Sequence, residues 1–257
     1  MPSRDSIERY RVANKELSGL VAAELSAYFA ALDLSRPEAA RNALLEFMPL
    51  LVSQYGQVSQ ALAMDWYEES RAESGAAGRF LATAPKPPVS DERVEAKVRY
   101  AAGHLFTEQP RAALASLTGA TDKYVKQYGR ETMAWNAKRE GARYARVPSG
   151  AKTCAFCLVL ASRDAVYLSK RSAGDSNDSG FGDDFHGDCD CAVVRIGSNE
   201  EYPEGYIPDE LYDIYDIGAD KAGGRNDLKA ILLDLRRRFP DRFTDGVIDE
   251  DYLVRSI

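Results

Sequence analysis

From about position 5 to position 140 the apolar residues recur at intervals of three and four. Ile7, Tyr10, Leu17, Val21, Leu25, Tyr28 and Leu32 make one such stripe, the spacing of one face of an α-helix. Asp5 and Glu8 stand three apart at its start, as in a capping box. A second start is written in Ser35-Arg36-Pro37-Glu38, with Ser and Glu again three apart and Pro placed for a first turn. Its stripe is Leu44, Leu45, Met48, Leu51, Val52, Tyr55, Leu62 and Trp66, with a bend expected near Pro49. The spacing alone accounts for the aromatic positions, so they are read as helix-pair core and not as a ligand pocket.

Ser74-Gly75-Ala76-Ala77-Gly78 and Pro85-Lys86-Pro87-Pro88 cannot continue a helix and form a linker. A short helix is expected after Ser90, with Asp91 and Glu92 favourably placed in its first turn. A longer one starts near Pro110 and carries Leu114, Leu117, Thr121, Tyr124, Tyr128, Thr132 and Trp135 on one face. Gly119 and Gly129 weigh against its being unbroken. His104, beside Leu105 and Phe106 without a ligand partner nearby, reads as a packing or capping residue.

The pattern changes at Arg143. Short extended pieces are expected at 143–147, 165–168 and 192–196, separated by a loop rich in Gly, Ser, Asn and Asp over 172–185. Beyond Gly197 come a Tyr- and Asp-rich segment at 202–218, a helix from about Asn226 to Phe239, and the turn Thr244-Asp245-Gly246.

Charge narrows the choice of partners. The net charge of −7 is not spread evenly: residues 1–142 hold 18 basic and 18 acidic side chains, 143–197 hold 7 and 7, and 198–257 hold 8 and 15. A protein that grips nucleic acid usually carries a basic domain, because binding works by neutralising phosphates, and no such domain is present. No apolar run has the length of a membrane span, and the first ten residues lack a signal-peptide pattern. The chain is expected to remain in the cytoplasm where it is made.

All four cysteines fall within the 38 residues from Cys154 to Cys191, with one of the two histidines, in the spacing C-x2-C-x28-H-x2-C-x-C. Thiols in a reducing compartment are not expected to pair as disulfides. Cys154 and Cys157 form a knuckle that aims two thiolates at one point, and His186 with Cys189 can supply a second pair. Four such donors suit a tetrahedral zinc whose binding stabilises a segment too loop-rich to bury a core of its own. Iron–sulfur is the lesser metal alternative. Cys189 and Cys191 are one residue apart and point to opposite sides of an extended strand. Cys189 is therefore favoured as the ligand, with Cys191 as a buried thiol or alternative donor. The five donors suffice to close the metal's coordination, and neither the H-x-E…P-C-x-x-C pattern of zinc deaminases nor H-E-x-x-H, a phosphate loop, G-x-S-x-G or a dinucleotide fingerprint is present. The zinc is read as structural and the chain as no enzyme.

Three regions follow: a helical domain over 1–142, a zinc-binding module over 143–197, and an acidic C-terminal segment with one helix over 198–257. The fold class is mainly α, with N-terminal amphipathic helices, a small zinc-stabilised α/β module and a helical acidic end.

Several motifs carry a family likeness. Gly129-Arg130-Glu131-Thr132 with Asn136, Arg146-Val147-Pro148, Thr153-Cys154-Ala155-Phe156-Cys157, Leu160-Ala161-Ser162-Arg163, Ala165-Val166-Tyr167 and His186-x2-Cys189-x-Cys191 resemble the MuF-like minor capsid, or head-morphogenesis, proteins of tailed bacteriophages, in the version found in phages of actinobacteria. The likeness is densest over 125–197. It continues more weakly in Gln54-Tyr55-Gly56, Trp66-Tyr67, Arg71-Ala72-Glu73, Pro208-Asp209-Glu210-Leu211-Tyr212 and Thr244-Asp245-Gly246. The resemblance implies a low-copy virion component inside the capsid head, made in the host cytoplasm and associated with the portal protein or the major capsid protein. It implies a role in head assembly and DNA packaging or delivery, close to packaged DNA without sequence-specific binding, and no membrane partner. The family's Cys-x2-Cys and His-x2-Cys fall on Cys154, Cys157, His186 and Cys189.

Two other readings compete. A zinc-ribbon-like nucleic-acid-binding module would use Arg143, Arg146, Lys152, Arg163, Lys170, Arg171 and Arg195 as contacts, against seven acidic residues in the same region. A zinc-dependent hydrolase would need an open metal position and a general base, and the sequence offers neither.

Overall fold

The structure, a computed structural model, describes residues 2–149, 152–163, 191–197 and 202–246. The first helix, α1 (Arg4–Ala30), opens on Ser3, whose side-chain oxygen accepts from the Ser6 amide at 3.1 Å. The capping box expected at Asp5 and Glu8 is therefore corrected. Asp5 lies inside the first turn, where its charge suits the helix N-terminus, and Glu8 pairs with Arg11. The second helix, α2 (Pro37–Glu73), starts with Pro37 in its first turn and runs on through Pro49. Ser35 does not cap it, because its hydroxyl donates to Asp33 at 2.6 Å.

Ser90 caps α3 (Asp91–Ala101), as its position predicts. A 3-10 turn over Ala102–Phe106 follows, in which the His104 carbonyl accepts from both the amide and the hydroxyl of Thr107. The His104 side chain is exposed.

The longest partner of α2 is α4 (Ala112–Glu140), which is unbroken. Its glycines behave differently. Gly119 has open space around it, but a Cβ on Gly129 would lie 2.7 Å from Ser59 Oγ of α2, and one on Gly56 of α2 would lie 2.7 Å from the Tyr128 ring of α4. Each helix thus carries a glycine where the other presses in, and residues that look like helix weakeners set the approach of the two backbones. Leu17, Val21, Leu25, Leu44, Met48, Leu51, Val98, Leu117 and Val125 fill the core shared by α1 to α4. Trp135, expected on the buried face, is 42% exposed, because Met133, Asn136 and Ala137 occupy that face in the last turns of α4.

The linker after α2 is tied down residue by residue. Arg71 donates to the carbonyls of Ala77 and Gly78, Glu68 accepts from the Ala82 amide, and Asn136 binds both the amide and the carbonyl of Thr83. Backbone polar groups of a non-repetitive segment need such partners when they run against a core.

A second core joins the ends of the bundle helices to a two-stranded antiparallel ribbon, β1 (Arg143–Pro148) and β2 (Cys191–Ile196). The register runs from Arg143 opposite Ile196 to Pro148 opposite Cys191. These strands lie where the sequence placed them; the expected piece at 165–168 falls outside the described residues. A third core gathers α5 (Ala155–Ala161), α6 (Pro208–Lys221) and α7 (Leu228–Arg238). Two of these helices correct the sequence reading. Every residue of α5 is buried, so its seven apolar positions show no amphipathic period. The described residues after 198 hold two helices where one was expected, since 208–218 forms most of α6; Pro208 in the first turn, Asp209 and Glu210 beside it, and Lys221 in the last turn are its start and stop signals. The protein is mainly helical, and its cores cross both region boundaries at 142 and 197.

Candidate metal centre

The cysteines meet where α5 begins and β2 begins. Cys154 is the residue before α5, in extended backbone, and its sulfur accepts from the Cys157 amide at 3.2 Å. The pairing of Pro148 with Cys191 brings the start of β2 back to the same place, and Cys157 Sγ lies 3.7 Å from Cys191 Sγ. All three residues are buried, and all three are thiols. His186 and Cys189 lie outside the described residues. Among the described residues, no group of three or more His, Cys, Asp or Glu forms a metal-holding cluster.

The sulfur separation can still be compared with a metal's demands. Two thiolates at about 2.3 Å from a tetrahedral zinc stand about 3.8 Å apart. The Cys157–Cys191 spacing fits that geometry, and Cys154 supplies a third thiol within the same turn. The ribbon register carries Cys191, the alternative donor of the sequence reading, to Cys157.

The chain near residue 245 closes over this turn. Thr153 and Phe243 form an isolated parallel bridge, and the Thr244 amide donates to the Thr153 carbonyl at 3.0 Å. Asp245 Oδ1 accepts from the Ala155 amide at 2.9 Å while Oδ2 accepts from Arg236 Nε of α7 at 2.7 Å. The carboxylate therefore satisfies an amide that the first turn of α5 leaves open, and it anchors that turn to α7.

A partly buried carboxylate organises the join between the ribbon and the bundle. Glu140, in the last turn of α4, accepts from Tyr67 Oη at 2.5 Å, Arg71 Nε at 2.7 Å, and Arg195 Nε and Nη2 at 2.6 and 2.8 Å. Burial by itself pushes this carboxyl up, but the hydrogen bonds from Arg195, Tyr67 and Arg71 outweigh it and hold it at about 2. The same contact, with burial as the larger cause, raises the Tyr67 hydroxyl well above its ordinary range. The sequence reading did not single out Glu140. Its signal is an acid in the last turn of a helix, where the macrodipole disfavours it, so that another element must hold it.

This arrangement corrects the set of basic contacts offered for nucleic acid. Arg146 and Arg195 are 5% and 4% exposed, and Arg195 is committed to Glu140 and Ser74. Lys170 and Arg171 lie outside the described residues, leaving Arg143, Lys152 and Arg163 at least partly accessible. Several motif residues are also explained by architecture: Arg71 and Asn136 pin the linker, and Gly56 and Gly129 set the α2–α4 contact.

A family model described as VG15 protein matches residues 1–217, which takes in the bundle, the cysteine turn and the ribbon. The "Gene 15 protein" of Mycobacterium phage D29 is 30% identical over 167 residues, covering 51% of this chain and 61% of the phage protein. The chain therefore spans less than two thirds of that relative's length. No solved structure matches.

Proposed function

The chain belongs to the VG15 protein family, and from that membership we propose that it is a minor capsid, head-morphogenesis protein of a tailed bacteriophage, associated with the portal inside the head and acting in assembly or DNA delivery. The observation that carries this reading is the family match over residues 1–217 and the similarity to a mycobacteriophage protein, together with the resemblance of the chain's motifs to MuF-like proteins. The physical character of the chain agrees with a structural role. Long helices meet through glycine contacts, a partly buried carboxylate ties α4 to α2 and β2, and the motif residues Gly56, Gly129, Arg71 and Asn136 serve packing or pin the linker. No helix among the described residues is long and apolar enough to cross a membrane.

The cysteine turn has its own part in this reading. A structural zinc held by Cys154, Cys157 and Cys191, with a fourth donor from His186 or Cys189, would tie the start of α5 to the start of β2. The 3.7 Å sulfur separation is the observation that supports Cys157 and Cys191 as two of these ligands. Zinc would supply folding energy there and no chemistry on a substrate.

Gradient fractionation of lysate from cells infected with the parent phage tests the function. The chain is expected to sediment with procapsids and virions, and deletion of its gene to yield defective heads; recovery from the soluble fraction alone overturns the reading. Elemental analysis of protein purified without chelator tests the metal, with about one zinc per chain expected and none refuting it.

A further inference from the structure

The cysteine turn can be approached from one side. A cleft of about 380 Å³ opens between α1, α4 and the first residues of β2, and Cys191 stands on its wall. Cys154 and Cys157 do not line it. Cys157 is 0% exposed, yet its sulfur lies 3.7 Å from that of Cys191. One member of the pair therefore borders a space that small molecules enter, while the other is sealed inside the protein within contact distance.

A thiol that an oxidant can reach goes to a sulfenic acid, and a second thiol beside it turns the sulfenic acid into a disulfide. Hydrogen peroxide is far smaller than the cleft. In the first step the Cys191 sulfur attacks one peroxide oxygen, the O–O bond breaks and one water leaves, giving a sulfenic acid on Cys191. In the second the Cys157 sulfur attacks the Cys191 sulfur and the S–O bond breaks; the departing hydroxyl leaves as water with the Cys157 thiol proton. Two thiols lose two electrons and two protons, and one peroxide becomes two waters. Cys154 is placed differently, because its sulfur accepts from the Cys157 amide at the N-cap of α5 and it has no part in the cleft wall.

We propose that Cys157 and Cys191 are a redox pair, in which Cys191 takes a peroxide through the cleft and Cys157 resolves it as a disulfide. The cross-link joins the first turn of α5 to the first residue of β2, positions 34 apart in the chain. Oxidation thus adds a covalent tie where the two elements already meet. The reducing interior of a cell holds the pair open, and an oxidising exterior closes it. The inference does not rest on the zinc of the proposed function: the chain without metal offers the same two thiols, and a bound zinc is released when two of its ligands are lost.

Treatment of the full chain with hydrogen peroxide, followed by alkylation under denaturing conditions and non-reducing peptide mapping, decides it. The thiol count is expected to fall from four, one for each cysteine, to two. One peptide pair should be cross-linked through Cys157 and Cys191, and a reductant should separate it and restore the count. Lys15 is exposed and lines the cleft, so Lys15→Trp narrows the entry without touching the core; it should slow thiol loss severalfold and leave the product the same. Zinc is followed in parallel with a metallochromic dye. Loaded protein should release zinc in step with the cross-link, and chain that holds no zinc should give the same cross-link, so that failure of the metal reading and failure of this one are told apart. The proposal is overturned if all four thiols survive, if Cys191 advances to a sulfinic acid with no cross-link, if the disulfide joins Cys154 to Cys157 or takes in Cys189, or if Lys15→Trp is oxidised at the native rate.

Discussion

The helical bundle and the cysteine region are built on different principles. In α1 to α4 the core is a broad field of apolar contacts, mostly aliphatic, spread over all four helices. In the ribbon and α5 the aliphatic core is supplemented by a few polar anchors: the thiol cluster, the Glu140 knot and the Asp245 bridge. A distributed core degrades gradually under mutation, whereas an anchored one fails at identifiable points. The comparison also separates how the two regions answer to conditions, because burial of apolar surface is indifferent to pH while a carboxylate such as that of Glu140 is not.

The sharpest way to break the comparison is at the thiols. If the proposed zinc is bound, Cys157→Ser or chelation is expected to abolish hydrogen-exchange protection across 143–148, 155–161 and 191–196 while 44–66 and 117–133 stay protected, since structural zinc contributes on the order of 10 kcal/mol to small modules. Cys191→Ser should match Cys157→Ser, given their direct contact. Equal loss of protection in both regions would show that they do not differ in this way.

The next largest effect is expected at Glu140. Glu140→Ala leaves the guanidinium of Arg195 and that of Arg71, with side chains 4% and 11% exposed, without their carboxylate. Urea denaturation should register a loss of about 3–5 kcal/mol. The carboxyl titrates at about 2 in the folded chain against 4.5 ordinarily. Its folded value is lowered, so its contribution is complete above pH 4.5 and is lost as pH falls through about 2. Glu140→Gln should flatten the acid limb of the stability curve in that window; an unchanged limb would remove the knot from the account.

Overpacking probes the bundle. Gly56→Ala places a methyl 2.7 Å from the Tyr128 ring, and thermal or urea unfolding should show a loss of about 1–3 kcal/mol. The change should leave hydrogen-exchange protection of 155–161 unaltered. The smallest effect is expected at Asp245→Ala, which removes the cap from the Ala155 amide and the partner of Arg236. A loss of about 1–2 kcal/mol confined to α5 and α7 in hydrogen exchange would place the anchor correctly.

What could be read from the sequence divides along the same line. The bundle was legible because α1 to α4 each bury one face, and Ser90 stood alone as a cap before acidic residues. Details failed where neighbours competed: Ser3 displaced Asp5 as the cap, and Met133 and Asn136 displaced Trp135 from the core. The candidate cysteines were legible from spacing, but their mutual arrangement was not, since Cys191 reaches Cys157 only through the pairing of β2 with β1. Helix α5 was hidden because complete burial erases periodicity, and α6 because Tyr and Asp dilute its apolar stripe. Glu140 and Asp245 act on partners 55 and 90 residues away, a separation that no local pattern records.

The bridge from Asp245 to the first turn of α5 also sets an order of events during synthesis. Domains tend to fold as their residues leave the ribosome, and everything the four-helix core needs has emerged once residue 140 is out. Strand β1, on which α5 leans, and α5 itself follow soon after, yet the helices and turn that cover α5 come only with 208–245. For the interval between, a nascent chain carries a finished bundle and a bare seven-residue apolar segment. Aggregation or chaperone capture is therefore expected to depend on how quickly translation crosses the stretch from 162 to 245.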